Sequence, residues 1–492
     1  MSEVLFASGN NSKNLEAVLN HYKEGDQQKY KAAVFLIKNM SIHDSWNYKW
    51  RDRNKKTVPF NELDYKNFIE ASEVLTGLKD SLGLKAYKFK EEDLKTISTE
   101  FLIKNIDQAF LEWRSNSWSK TYDFDAFCEY ILPYRSLIEP LQEWREDYKI
   151  LVFKGAADAI DSINPADVAT HALFGISEFN FSRTSPSPIP LLGAKSILFK
   201  KKGTCPDLAN AALFACRSIG VAATFDFTPH YGASSNRHYW NTVIDNTGKH
   251  IPFNGSSFKD GLPYIYNPTK NKRLAKVYRR TFSIQQEALI NVISKTNMPK
   301  GFLRSANIKD VTHEYVNSGK INYTFEKNKT NHVGFINVFN LGKWRVIDWA
   351  NIENSSCVFK NLGTDIVYLP GTYLNNEMIL ESYPILLDSN KQIHILKPDF
   401  NNTYEANISK LNEHLNNYRD YNTLNIKDGD YYVLQYWCGE WINIGKKKKA
   451  EIDGIRIKNV PQNTLFRLLP DSPDGFERIF IIDKASKKIR WY

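Results

Sequence analysis

Cys205, His238 and Asn254 are the residues whose types and spacing could carry chemistry. Cys205 stands in the run Gly-Thr-Cys-Pro-Asp-Leu-Ala-Asn, directly before a helical pattern. Leu208, Ala212, Ala215 and Ile219 recur at i, i+4, i+7 and i+11, and Gly220 follows as a stop signal. Pro206 suits the start of a helix, where a missing N–H costs nothing. A thiol at that end faces unpaired backbone N–H groups and the positive end of the helix dipole. Both favour the thiolate, which is the nucleophile.

Two strands must then bring a base to this thiol. Residues 221–227 read as a short strand, and 238–244 alternate, with His238, Trp240, Thr242 and Ile244 on one face. Asn246-Thr247-Gly248 fits a three-residue hairpin loop, with Gly248 supplying the left-handed residue. That register pairs Trp240 with Asn254. Paired residues share a face, so Asn254 lies one diagonal step from His238. The expected set is therefore a nucleophile, a base and an orienter, the logic of covalent acyl transfer. Trp240 is expected to shield this set, pack behind it or form part of the substrate wall. Asp207 can counter its helix's dipole and has no expected part in the chemistry.

These motifs resemble the transglutaminase-like superfamily of papain-type cysteine enzymes. The resemblance rests on Gly-x-Cys before a helix, Gly-Val-Ala-Ala opening the next strand, His-x-Trp, and a polar residue on the third strand. It implies Cys205 as nucleophile, His238 as base, and Asn254 in the place usually held by Asp. Asn is the papain-style orienter, so the departure removes a negative charge and leaves the role intact. Flanking stretches resemble long multidomain transglutaminase-like proteins of gut Bacteroidetes. They are Ala32-Ala33-Val34-Phe35-Leu36-Ile37-Lys38-Asn39-Met40, Leu132-Pro133-Tyr134-Arg135 with Trp144-Arg145, Asp310-Val311-Thr312, and Tyr368-Leu369-Pro370.

At 492 residues the chain is too long for one core. Its 42% hydrophobic content suffices for burial and argues against disorder. The +10 net charge arises from 65 basic and 55 acidic residues, well mixed, so nucleic acid is not an expected partner. Five cysteines without close pairs argue against a disulfide scaffold, and no metal-binding or phosphate-loop motif occurs, so no cofactor is expected. No apolar run reaches membrane-spanning length. The resembling proteins are typically exported, which implies the periplasm or cell surface with a signal segment absent from this sequence; read alone, the sequence fits the cytoplasm too.

The expected fold class is α+β and multidomain. Residues 1–150 form a helical region, with Ser12 and Asp26 as caps and further helices over 63–75, 93–113, 124–131 and 137–148. Residues 151–300 form the transglutaminase-like core, entered through the irregular Pro-rich segment 183–190. Residues 301–400 read as a β-sandwich-like domain, with a strand expected over 311–315, and 401–492 as a second all-β domain beyond an Asn401-Asn402 loop. His43 and Asp44 are placed in a loop, available to a groove or to a turn hydrogen bond. Ser117-x-x-Lys120 matches a serine-acylase pattern without its companion motifs.

The functional expectation is a peptidase or amidase working through a thioester on Cys205. Its partner is a peptide or protein substrate, with cell-wall peptide or glycan among the candidates. Lys200, Lys201 and Lys202 would repel a lysine acceptor and favour water. The alternatives are a protein-glutamine acyltransferase, or a catalytically silent protein holding glycan or protein on Trp437, Trp441, Trp491 and Tyr492.

Overall fold

Helix-forming sequence fills most of the first 220 residues, interrupted by a three-stranded sheet and by a short parallel pairing of Asn180–Phe181 with Lys202–Gly203. The computed structural model describes residues 1–232, 236–255, 267–269, 272–325, 332–408, 426–451, 454–473, 475, 477–483 and 488–492. Helix α1 (Ser12–Lys23) buries Leu15, Val18, Leu19 and Tyr22, the face their spacing marks. Its cap is Asn11 rather than Ser12, because a 3-10 turn over Gly9–Asn11 runs straight into it. Asp26 caps α2 (Gln27–Asn39), its carboxylate accepting from the Gln28 and Lys29 N–H groups.

Asp44 opens a strand instead of lying in a loop. Strand β1 (Asp44–Arg51) pairs antiparallel with β2 (Thr57–Val58) and with β3 (Lys85–Glu92), in a register running from Asp44 opposite Glu92 to Arg51 opposite Lys85. Between β2 and β3, α3 (Phe68–Leu82) starts later than the spacing suggests, at an Asn67 cap. The helix expected over 93–113 breaks at Ile97. A turn over Asp93–Thr96 precedes Ser98, which caps α4 (Thr99–Ser115) by accepting from the Phe101 N–H.

Helix α5 (Phe124–Tyr130) follows, and then α6 (Arg145–Ala157). The stretch 137–144 is not helical. The Glu139 carboxylate accepts from the Ser136 and Leu137 N–H groups and folds the chain into an irregular turn there. Helix α7 (Pro165–Ala172) has Pro165 in its first turn, and 183–190 is irregular, as its prolines require. Helices α8 (Ala194–Lys200) and α9 (Cys205–Ser218) lead into β4 (Ala223–Thr228), β5 (His238–Ile244) and β6 (His250–Phe253), which neighbour one another in that order.

The chain divides into two units. The first comprises Met1–Asp226, Tyr239–Asn267 and Arg280–Gln285, the second Phe227–His238, Pro268–Arg279 and Gln286–Tyr492. In the first, one core surrounds α9 with Trp144, Tyr148, Leu208, Leu213 and Phe214. Another lies among α1, α2, α4 and α5, where Leu15, Leu36, Ile106, Phe110 and Phe127 meet.

The Leu-Pro-Tyr-Arg and Trp-Arg motifs knit this unit from inside. Arg145 donates to Asn105 Oδ1 and to the Arg217, Ile131 and Leu132 carbonyls, and Trp144 Nε1 donates to Tyr134 O. Arg217, in the last turn of α9, donates to the Tyr130, Ala223 and Arg135 carbonyls. Buried guanidiniums thus satisfy the Ile131, Leu132 and Arg135 carbonyls, which lie between helices, and reach the Tyr130, Arg217 and Ala223 carbonyls at element ends.

The second unit holds the β regions. Strand β7 (Gly319–Thr324) pairs with β10 (Ser356–Leu362). Strands β8 (Val333–Asn340), β9 (Lys343–Asn351), β11 (Ile366–Leu374), β13 (Ile385–Leu387) and β14 (Ile393–Ile395) form a sheet ordered β9-β8-β11-β13-β14, with β12 (Glu377–Leu380) beside β11. Farther on, β15 (Asp399–Ile408) pairs with β18 (Ile455–Gln462), so Asn401 and Asn402 lie inside a strand and not in a loop. A last sheet is ordered β17-β16-β19-β20-β21, from β16 (Tyr431–Trp437), β17 (Trp441–Asn443), β19 (Phe466–Pro470), β20 (Ile479–Ile482) and β21 (Ile489–Trp491). One core draws on both regions, joining Phe339, Val367 and Leu369 to Trp437, Leu465 and Tyr492.

Residues 311–315 do not form a strand. Asp310 Oδ1 accepts from the Thr312 N–H and hydroxyl and starts a helical turn over Thr312–Tyr315. The other Asp310 oxygen lies 2.9 Å from buried Lys276, whose Nζ also meets Asp348 at 2.6 Å and donates to Lys360 O. The Asp-Val-Thr motif is one corner of this ion cluster.

Candidate active site

Helix α9 is buried on every side from Asp207 to Ser218, yet its first residue, Cys205, is exposed. The capping pattern explains how this end is held. Asp207, itself fully buried, accepts from the Thr204 N–H at 2.8 Å and from the Thr204 hydroxyl at 2.7 Å, completing a capping box. Its other oxygen accepts from the Leu192 N–H at 2.8 Å, fastening the end of the Pro-rich segment to the helix start. Gly203 makes room for this carboxylate: a Cβ there would sit 2.5 Å from Asp207 Cβ. Asp207 is therefore more than a dipole counterion. The Thr-x-x-Asp spacing was the signal for it.

The same accounting isolates one donor. Thr204 N–H goes to Asp207, Leu208 N–H goes to Thr204 O, Pro206 has none, and Asp207 N–H faces Thr204 in the capping box. Among the described residues the Cys205 N–H has no acceptor.

The hairpin loop follows the expected geometry. Asp245 N–H donates to Lys249 O, Gly248 has φ 82°, and Asn246-Thr247-Gly248 is the loop. Asn241 pairs with Phe253, so the register, carried one residue on, sets Asn254 opposite Trp240. Asn241 is buried and its Nδ2 donates to Ala209 O at 2.9 Å, tying β5 to α9. Trp240 is 1% exposed, which favours packing over contact with substrate.

Cys205, Trp240 and Asn254 belong to the first unit and His238 to the second. His238, at the start of β5, is half-buried; burial first, and then the Lys272 cation, push its imidazole from 6.5 down to about 4. It is neutral at physiological pH. The chain before it is fixed by the second unit: Gly232 N–H donates to Arg273 O, and Asn236 N–H donates to Asn340 Oδ1.

Other sequence candidates sit elsewhere. His43 is buried, stacks on Phe282 at 4.2 Å and lies 2.9 Å from Phe282 O, and burial pushes it down to about 3. It lines no groove. Asp44 pairs with Lys90 at 2.8 Å. Ser117 donates to Ser162 O, away from any serine-acylase arrangement. Trp437, Trp491 and Tyr492 are buried in core, and Arg467 covers one face of the half-buried Trp441 ring at 4.4 Å. Among the described residues no group of His, Cys, Asp and Glu is arranged to hold a metal ion, and no helix is long and apolar enough to cross a membrane.

Residues 164–255 match the family model of the transglutaminase-like superfamily. The chain carries a transglutaminase-like domain. The matched segment takes in α7, α8, α9 and β4 to β6, hence Cys205, His238 and Asn254. No curated protein matches the chain. Among solved structures, a Cytophaga hutchinsonii protein provisionally named a cysteine protease is similar at 16% identity, over 25% of this chain and 41% of that one, with TM-score 0.19. Red sea bream transglutaminase is similar at 9% identity, over 92% of this chain and 77% of that one, with TM-score 0.20.

Proposed function

We propose that the transglutaminase-like domain is a cysteine hydrolase, a peptidase or amidase that works through a thioester on Cys205. The observation that carries this is the exposed thiol on the first residue of a buried helix, beside a backbone N–H left without an acceptor. In the proposed reaction the thiol sulfur attacks a carboxamide carbon while neutral His238 accepts the thiol proton. The Cys205 N–H donates to the oxyanion. His238 then passes its proton to the leaving amine, and the thioester remains. Water attacks the thioester carbon, His238 takes its proton, and the C–S bond breaks to release the acid. Asn254 orients the imidazole.

The choice of acceptor rests on exposure. Lysine repulsion does not decide it, because Lys200 is ion-paired with Glu62 and Lys201 with Glu178 at 2.5 Å. That neutralisation is the one feature favouring the second reading, an acyltransferase. An exposed Cys205 leaves a thioester open to water, and water is abundant. Supplying a glutamine-containing protein with a fluorescent primary amine separates the two. We expect cleavage or deamidation to exceed incorporation; Cys205-dependent incorporation without hydrolysis would overturn the hydrolase reading.

The pH profile tests the base. A depressed pKa means that His238 takes up a proton only near pH 4, so turnover should hold as pH falls through 6.5 and drop near 4. An acid limb centred at an ordinary imidazole value would assign the base role elsewhere.

A further inference from the structure

We propose that Asn340, the last residue of β8, is a positioning residue for His238. This inference rests on His238 acting as the base. Asn340 is 3% exposed and closes β8 at a tight turn, pairing with Lys343 across Leu341 and Gly342, whose φ angles are 50° and 69°. Its side chain is thereby set by a hairpin end rather than by a loop.

The amide is used at both ends of one short stretch. Asn340 Nδ2 donates to Tyr231 O at 3.0 Å, and Asn340 Oδ1 accepts from the Asn236 N–H at 2.9 Å. Tyr231 N–H in turn donates to Asn236 O at 3.3 Å. A side-chain amide thus stands where a neighbouring strand's peptide group would, holding residues 231 and 236 at a fixed separation. Two residues later the chain reaches His238.

The anchor is reinforced on its far side. Tyr231 is buried and bridged to Leu274, and Gly232 N–H donates to Arg273 O. A Cβ at Gly232 would sit 2.6 Å from Ile366 Cδ1, so the backbone lies directly on β11. Asn236 sits at φ 84°, in the left-handed region that asparagine tolerates, and the hydrogen bond to Asn340 helps to hold it there. Asn340 supplies part of that hold from more than a hundred residues away.

A misplacement of a base by about 1 Å can cost on the order of a hundredfold in rate, whereas substrate binding away from the base is spared. The test compares the full chain with Asn340→Leu and Asn340→Asp, using Cys205→Ala and His238→Ala as references. Hydrolysis and iodoacetamide labelling of Cys205 are both followed. We expect Asn340→Leu to lower kcat about ten- to a hundredfold with KM held within about twofold, and to slow labelling toward the His238→Ala rate. Asn340→Asp keeps the acceptor for Asn236 and should recover part of the loss. Wild-type kcat in both variants, or a loss that appears only as raised KM, would overturn the proposal. If Asn340→Leu fails to fold, Asn340→Asp decides: wild-type kcat and labelling overturn it, and an intermediate kcat supports it. Activity that survives Cys205→Ala would sink the cysteine mechanism instead, a result distinct from either.

Discussion

Cys205→Ala is expected to abolish turnover and to remove the one fast-reacting thiol. Five free cysteines are present, and their surroundings differ sharply. Burial pushes Cys128, Cys216 and Cys357 up to about 12, so their thiolates are scarce at neutral pH and their sulfurs are enclosed. Cys438 is half-buried, and no helix start supports it. Cys205 alone is both exposed and first on a helix whose dipole favours an anion. Loss of a nucleophile should cost roughly 10^5-fold or more in kcat, and loss of the base roughly 10^2- to 10^4-fold. Asn254→Ala should cost less than His238→Ala, because it removes orientation only, and Asn254→Asp should keep activity. Alkylation at mildly acidic pH with peptide mapping checks the first point. Fast labelling at Cys438, or His238→Ala turning over like wild type, would defeat the assignment.

What could be read from the sequence was mostly local. The β5–β6 register followed from a three-residue loop with one left-handed glycine, and the Asp26 cap from side-chain chemistry two and three residues away. Both depend on residues close in the chain. The β1–β3 pairing was missed although Trp46, Tyr48 and Trp50 alternate, because Asn47 and Lys49 between them mimic a polar loop and its partner strand comes only after β2 and α3. The 137–144 turn and the 311–315 helix start were misread because a single carboxylate redirects several backbone N–H groups, and apolar spacing carries no record of that. The assignment of 227–238 to the second unit was the least legible. It depends on Asn340 and Arg273 reaching residues 231–236 from far along the chain, and a helix-or-strand pattern is silent about such partners. The lysine-repulsion argument is weakened for the same reason, since Glu62 and Glu178, distant in sequence, neutralise Lys200 and Lys201, two of its three lysines.

Asp93→Ala should be the most destabilising single change among the first unit's polar residues. Asp93 is fully buried and grips Arg135 with both oxygens, Nε at 2.5 Å and Nη2 at 2.6 Å, while Tyr134 donates its hydroxyl at 3.0 Å. The guanidinium also donates to the Asp44 and Glu139 carbonyls, so it fixes the start of β1 and the irregular turn before α6. Arg135 O then receives Arg217 from the end of α9, which places the pair one residue from the nucleophile helix. Removing the carboxylate leaves an uncompensated charge in the core, a change that typically costs about 3–5 kcal/mol. Arg135→Met should cost a similar amount by stranding Asp93 and the Asp44 and Glu139 carbonyls. In the double variant Asp93→Leu with Arg135→Met neither charge remains, so its loss should fall well short of the two single losses added together. Hydrogen exchange in α4 under increasing urea measures this without mixing in the second unit's transition. Single variants within about 1 kcal/mol of wild type, or strict additivity in the double, would show that the pair does not hold the unit together.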